Sequence, residues 1–474
     1  MSYNGDHRKC FACSYMLLKP DQKLSFSDVL AFLFGSDLHR RNFVECTEAT
    51  FVDFTRRWII FISLLAQKLL QLLALPLKSL GSFVERWLNL LSANHHSVVT
   101  LLFNYLWGKD ATPDPSSPEY LSVVGYMDTR VDLDASIKRG DGRYNASVSV
   151  MASKLSYENA ACLQTIVKNH WKMELVKCGD FWNDYQGKAT TQGFIMLDKS
   201  EEKQTYVVAF RGTEPFDADA WNTDIDLSWC HLPGVGKIHA GFMKALGLQK
   251  SVVGWPKKIQ RDDNNNNHPP EAYYAIRDIL KQHVNANNEA KFIVTGHSLG
   301  GALAILFPAI LSLHDETLLL DRLEGVYTFG QPRVGDHEFA EYMEHKLKHH
   351  HIKYYRFVYS NDLVPRLPYD YKNLMFKHFG RCLYFDSNYK CKMVEEEPNK
   401  NYFSPWAMMP MMINAAREII RSFFIGFKYG ADYREGWFLR TLRIIGLALP
   451  GLPNHLPQDY VNATRLGSLL SYLD

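Results

Sequence analysis

The 474-residue chain has little of several things, and each shortage excludes a class. Its formal net charge is only +2, with no long basic run to neutralise phosphates, so it is not read as a nucleic-acid binder. Its eight cysteines are scattered, which excludes a disulfide framework. Cys10 and Cys13 form a single C-x-x-C pair with no second pair to complete a zinc site. They are read as free thiols, and no metal or cofactor is expected. Residues 1–13 are polar and lack the apolar core of a secretory signal. Reduced thiols without a signal predict a protein on the cytosolic side of membranes. There the patterns Asn145-Ala-Ser147 and Asn462-Ala-Thr464 carry no glycosylation meaning. No internal repeat is present.

What is abundant is apolar sequence near the N-terminus. Residues 1–50 read as an irregular or partly helical leader. The run from Trp58 to Leu77 is long enough to span a bilayer. Its polar residues are ordered, however: Ser63, Gln67 and Gln71 recur every four positions, with Lys68 beside them, and form one stripe on a helix. Pro76 is expected to end or kink that helix. Apolar sequence resumes from Trp87 to Leu91 and from Val98 to Trp107. Residues 51–108 therefore read as apolar helices lying in a lipid surface, as a membrane span, or as a packed helical subdomain. Residues 109–119, rich in proline and serine, read as a linker, and 120–474 as an α/β catalytic domain.

That domain is organised around 291–311. Phe292, Ile293 and Val294 read as a buried strand, and Gly301 to Leu311 as a buried helix. Between them stands Gly296-His297-Ser298-Leu299-Gly300, a G-x-S-x-G pattern in the strand–turn–helix setting of a nucleophile elbow. A serine forced into a sharp turn presents its hydroxyl above the sheet. Side chains two positions away on either side would clash, and the glycines remove that clash. The helix that follows aims N–H groups at the turn, so the Leu299 N–H can hold an oxyanion.

Upstream, Met151 to Trp171 is a helix candidate, and Gly193–Leu197 and Thr205–Phe210 are strand candidates. The second leads into Arg211-Gly212-Thr213, where a second oxyanion donor, the Thr213 N–H, is expected. Residues 214–224 follow, carrying Phe216 and Trp221, and read either as a lid or as an ordinary surface loop. His239-Ala-Gly-Phe242 opens a helix, residues 261–270 form a low-complexity insertion, and 271–284 form another helix.

A serine nucleophile needs a base, and the base needs an orienting carboxylate. Asp362 follows the strand candidate Tyr354–Tyr359, at the sheet edge where Ser298 emerges. Asp336 is its rival but reads better as a helix cap. Two histidines lie beyond Asp362. His378 falls in Phe376–Phe385, which alternates like a strand, whereas His455 lies in a proline-bounded loop that suits a base better. An insertion at about 395–450 carries methionine, aromatic and basic residues. It reads as a lipid-contacting element or as helices packed on the core.

Gly-His-Ser298-Leu-Gly-Gly, Phe-Arg-Gly-Thr213, His239-Ala-Gly-Phe and Asn-Asp362-Leu-Val-Pro resemble, in order, the motifs of the class 3 lipase family of α/β-hydrolases. The resemblance runs from about Asn145 to the C-terminus. It implies Ser298 as nucleophile, Asp362 as orienter, His455 as base, Thr213 and Leu299 as oxyanion hole, and the Phe216–Trp221 stretch as lid. The apolar N-terminal extension, Gln331-Pro-Arg-Val-Gly-Asp-His-Glu-Phe339 and the insertion are similar to the plant oil-body triacylglycerol lipases. That likeness implies hydrolysis of long-chain acylglycerols at a lipid-droplet surface, with the endoplasmic reticulum membrane as the other implied location. A phospholipase or galactolipase of the same fold, and a non-catalytic droplet tether, are the alternatives.

Overall fold

The computed structural model describes residues 11, 14–18, 29–30, 33, 43–47, 54–95, 97–108, 113–199, 204–250, 254–257, 268–368, 376–400 and 405–468. Cys10, Cys13 and most of the low-complexity loop lie outside them. The strands are β1 (Ser14–Leu18), β2 (Val44–Cys46), β3 (Glu174–Asn183), β4 (Lys188–Lys199), β5 (Gln204–Phe210), β6 (Trp229–Leu232) and β7 (Gly236–His239). The remainder are β8 (Lys291–His297), β9 (Leu323–Phe329), β10 (Lys353–Tyr359), β11 (Arg381–Phe385) and β12 (Cys391–Val394). Eight of them form one sheet, ordered β12-β11-β10-β9-β8-β5-β4-β3. Its five central strands, β5 and β8 to β11, pair in parallel, while β3, β4 and β12 add antiparallel edges. This is the mostly parallel, helix-flanked sheet expected of an α/β-hydrolase.

The central strands are apolar throughout because both faces are covered. Phe292 and Val294 join the core on one face, with Leu303 and Phe307, while Ile293 joins the other, with Val148 and Phe357. Parallel pairing brings the carboxyl ends of β5, β8, β9 and β10 to one edge, where open α/β sheets carry their chemistry.

The helices used below are α1 (Phe54–Ala93), α2 (Val98–Leu106), α3 (Val123–Met127), α4 (Tyr144–Leu155), α5 (Ala218–Ile225), α6 (Leu299–Leu313), α7 (Pro405–Tyr429) and α8 (Trp437–Ile445). Several expectations change. The leader supplies β1 and β2, which pair with β6 and β7 in a separate antiparallel sheet. They form because Met16, Leu17 and Leu18 bury there, with the Leu18 N–H donating to Ser228 Oγ at 2.8 Å. The single helix expected over 151–171 is broken at Ser156–Asn159, where Asn159 Oδ1 accepts from the Cys162 N–H at 2.9 Å and caps a new helix. Helix α1 runs on past Pro76 to Ala93, so that proline does not end it. Pro76 sits on the exposed side, where the carbonyl it leaves unbonded is not sealed inside protein. Of the run expected to be a strand over 376–385, only Arg381–Phe385 joins the large sheet, because Gly380 takes φ +74° and turns the chain, while Lys377 makes an isolated bridge with Gly335.

The polar stripe of α1 faces the protein. Ser63 and Gln67 are buried, Ser63 Oγ donates to the Ile225 carbonyl at 2.8 Å, and Gln67 Nε2 donates to Ser63 Oγ at 3.1 Å. Leu65, Leu69, Leu72 and Leu75 point outward. The outward face of the helix is therefore largely apolar, while its inward face sets Ser63 and Gln67 among Ile60, Leu64, Leu88 and Leu91.

Candidate active site

Ser298 sits between β8 and α6 with φ +60° and ψ −130°. That is a strained turn for a residue with a side chain, and close packing on both sides enforces it. A Cβ on Gly296 would lie 2.1 Å from the Gly300 carbonyl carbon, and one on Gly300 would lie 2.2 Å from the Phe210 carbonyl oxygen. The clash inferred from sequence is thus with backbone. The Ser298 N–H donates to the Phe329 carbonyl at 2.9 Å, which ties the elbow to β9. Leu299 opens α6, where helical N–H groups have no intrahelical acceptor.

Gly212 brings the end of β5 to the elbow. A Cβ there would meet the Tyr157 hydroxyl at 2.0 Å, the His297 carbonyl at 2.4 Å and Ser298 Cβ at 3.1 Å. Thr213, next in sequence, is buried beside it. The two expected oxyanion positions therefore come from two places in the chain, Thr213 after β5 and Leu299 at the start of α6.

Asp362 and His455 meet although 93 residues separate them. His455 Nδ1 lies 2.8 Å from Asp362 Oδ2 and 3.0 Å from Oδ1. A carboxylate only accepts, so Nδ1 carries the proton and Nε2 keeps its lone pair. Nε2 has no hydrogen-bond partner among the described residues, so it is open to take a proton. Asp362 is fully buried and also accepts from the Val364 N–H at 2.9 Å and from the Tyr460 hydroxyl. Arg366 pins its loop by donating to the carbonyls of Ser360, Asp362 and Pro398. Gly330, at φ +61°, leaves room for the pair, since a Cβ there would lie 2.9 Å from Asp362 Oδ2 and from the His455 ring.

The rivals lie elsewhere. Asp336 caps the helix His337–His349, accepting from the Phe339 N–H at 3.0 Å. His378 donates through Nε2 to the Pro365 carbonyl at 2.7 Å and sits 3.8 Å from Glu397. Burial, helped by the Arg356 charge, holds its pKa well below the usual imidazole value.

Four contributors had little sequence signal. His297 was visible only as the variable position of the elbow. Its Nε2 donates to the His455 carbonyl at 2.7 Å, so Nδ1 accepts from the Tyr157 hydroxyl at 2.8 Å. Burial, reinforced by the proximity of His455, drives its pKa well down. It stays neutral and puts no cation beside His455. Tyr157, Tyr460 and Gly330 come together only through the fold. Arg366 could have been suspected from its place just after Asp362-Leu-Val-Pro.

The segment carrying Phe216 and Trp221 becomes a turn followed by α5, which packs on α1. A Cβ on Gly81 would lie 2.6 Å from Phe216 Cβ. A cavity of about 530 Å³ opens between Leu75 and Gly81 of α1 and Pro215 and Phe216, and it reaches Tyr157. A larger cavity of about 1050 Å³ lies at the opposite edge of the sheet, by Lys291, Leu323 and Lys353 at the starts of their strands. It is remote from Ser298 and plays no part in the arrangement above.

The family profile described as lipase (class 3) matches residues 207–372. A Nicotiana tabacum protein named triacylglycerol lipase OBL1 is 41% identical over 88% of this chain and 84% of its own. The protein of that name from Ricinus communis is 34% identical over 98% of this chain and 97% of its own. The chain belongs to the class 3 lipase family. The hydrolase class and the kinship with the plant triacylglycerol lipases, both expected from the motifs, hold. Among solved structures, the Rhizomucor miehei triacylglyceride lipase is similar at 24% identity, over 50% of this chain and 77% of that one, with a TM-score of 0.36.

Proposed function

We propose that this class 3 lipase hydrolyses long-chain triacylglycerols at a lipid-droplet surface, on its cytosolic side. Ser298 Oγ attacks the ester carbonyl while His455 Nε2 takes its proton. Leu299 and Thr213 N–H groups hold the oxyanion. The C–O bond breaks, the His455 proton passes to the departing glycerol oxygen, and an acyl-enzyme remains. Water, deprotonated by His455, then releases the fatty acid. Asp362 holds the imidazole in the tautomer this needs. Phe216 and Trp221 belong to a lid seated on α1. Residues 51–108 anchor the chain to lipid, 109–119 link that anchor to the catalytic domain, and 120–474 carry the chemistry.

The observation that carries this reading is the His455–Asp362 pair at the sheet edge where the strained Ser298 turn stands. The outward apolar face of α1 supports a lipid surface as the place of action. The test is fatty-acid release from emulsified triolein, phosphatidylcholine and galactolipid by the wild type and Ser298→Ala. Preferential triolein cleavage, lost in the variant, is expected. Faster cleavage of a polar lipid would overturn the substrate, and activity surviving in Ser298→Ala would overturn the nucleophile.

A further inference from the structure

Helix α7, like α1, exposes an apolar face, but it lies in the insertion far along the chain. Its outward positions include Trp406, Met409, Ile413, Ile420, Phe424 and Phe427 on one face, with Arg417 standing between Ile413 and Ile420. Trp406 is 91% exposed and Phe427 82%, so among the described residues little covers these rings. Its buried face carries Glu418 and Ser422 among Met411, Ala415 and Ile425. Helix α8 also exposes apolar side chains, with Trp437, Ile444 and Ile445 outside, and Leu439 and Arg443 inside, the latter held by Glu435 at 2.6 and 2.7 Å. A helix meant for water would do the opposite. Across 405–449 the exposed charged residues are Arg417, Lys428 and Arg434 against Asp432 alone. Apolar surface bordered by cations fits acyl chains beneath anionic headgroups.

The buried face grips the catalytic loops. Asn454 Nδ2 donates to both Glu418 oxygens, at 2.7 and 2.8 Å, beside His455. Asn414 Nδ2 donates to Ser360 Oγ at 2.9 Å, two residues before Asp362. Helices α8 and α1 both pack on α3, so the two exposed apolar surfaces adjoin a common element.

We propose that the outer face of α7 and α8 is a second lipid-docking surface, seated in a monolayer bearing anionic headgroups. It deepens the reading of a lipid-surface enzyme, but binding can be measured without turnover. The test is flotation of the full-length chain with triolein droplets coated by phosphatidylcholine, alone or mixed with phosphatidylglycerol. The combined variant Ile420→Ser, Phe424→Ser, Phe427→Ser is expected to lower binding to both coats about tenfold. The variant Arg417→Glu, Lys428→Glu, Arg434→Glu should lose only the gain that phosphatidylglycerol gives. Both should keep the wild-type rate on a water-soluble butyrate ester, which certifies the fold. Should the apolar variant fail to fold, the surface charge variant decides alone. Unchanged flotation of the folded variants overturns the proposal. So does a wild-type dimer in lipid-free buffer that the apolar variant dissociates without altering flotation. A wild type that floats through this face yet cleaves no triolein leaves the docking surface standing and removes the proposed substrate.

Discussion

Replacing Asn454 by alanine isolates the grip of the insertion on the base. The side chain is buried and spends its amide group on both oxygens of Glu418, at 2.7 and 2.8 Å. Glu418 keeps the Tyr359 hydroxyl at 3.2 Å and the Arg443 guanidinium at 3.6 Å, so its carboxylate is not stranded. Hydrogen bonds to charged groups contribute about 1.5–3 kcal/mol, and with partners remaining the loss should be about 2 kcal/mol. The larger effect should be kinetic. His455 is the next residue, and its carbonyl accepts from His297, so a loosened loop moves both the base and the elbow contact. A displacement of that kind costs on the order of 10²-fold when the reacting geometry is lost. We expect kcat on a soluble short-chain ester to fall about ten- to a hundredfold, with KM little changed. Urea unfolding monitored by tryptophan fluorescence gives the stability, and ester kinetics at saturating substrate give kcat. A variant destabilised by about 2 kcal/mol that keeps wild-type kcat would refute the idea that α7 positions the base.

Two further outcomes follow from the geometry. Gly300→Ala puts a Cβ 2.2 Å from the Phe210 carbonyl oxygen, and backbone cannot yield as a side chain does, so a loss of about 3 kcal/mol is expected in thermal unfolding. Gly187→Ala is the control, since only its φ of +61° opposes the change and nothing lies within 4 Å, and it should cost about 1 kcal/mol. Stability should also fall as pH drops from about 6.5 to 4. Burial, opposed by Asp226, lowers the His239 pKa from 6.5 to about 4, so in that window the unfolded chain binds a proton that the folded chain does not. That one group removes roughly 3 kcal/mol by pH 4, and His297 and His378, also lowered, act in the same direction. Urea midpoints that coincide at pH 7 and pH 4.5 would contradict this.

The elbow was legible because its requirements are local. A short apolar strand, two glycines at fixed offsets and an apolar helix specify the Ser298 turn without help from the rest of the chain. The end of β10, and with it Asp362, was legible for the same reason. Alternation misled in the first half of Phe376–Phe385, where one glycine with positive φ keeps the strand from starting before Arg381. The helix expected over 151–171 was misjudged because a single Asn159 cap outweighs helical propensity on either side.

The sequence by itself determined the fold class, the Ser298 turn and the polar stripe of α1, since periodicity and local sterics are properties of short segments. Only the tertiary structure decided which of His378 and His455 faces Asp362, because that contact closes a loop of 93 residues around the insertion. It also decided that the polar stripe of α1 turns inward onto α5, and that α7 holds the His455 loop through Asn454. Those pairings join groups whose separation in the chain carries no periodic signal. Burial alone then makes each one costly to leave unmade.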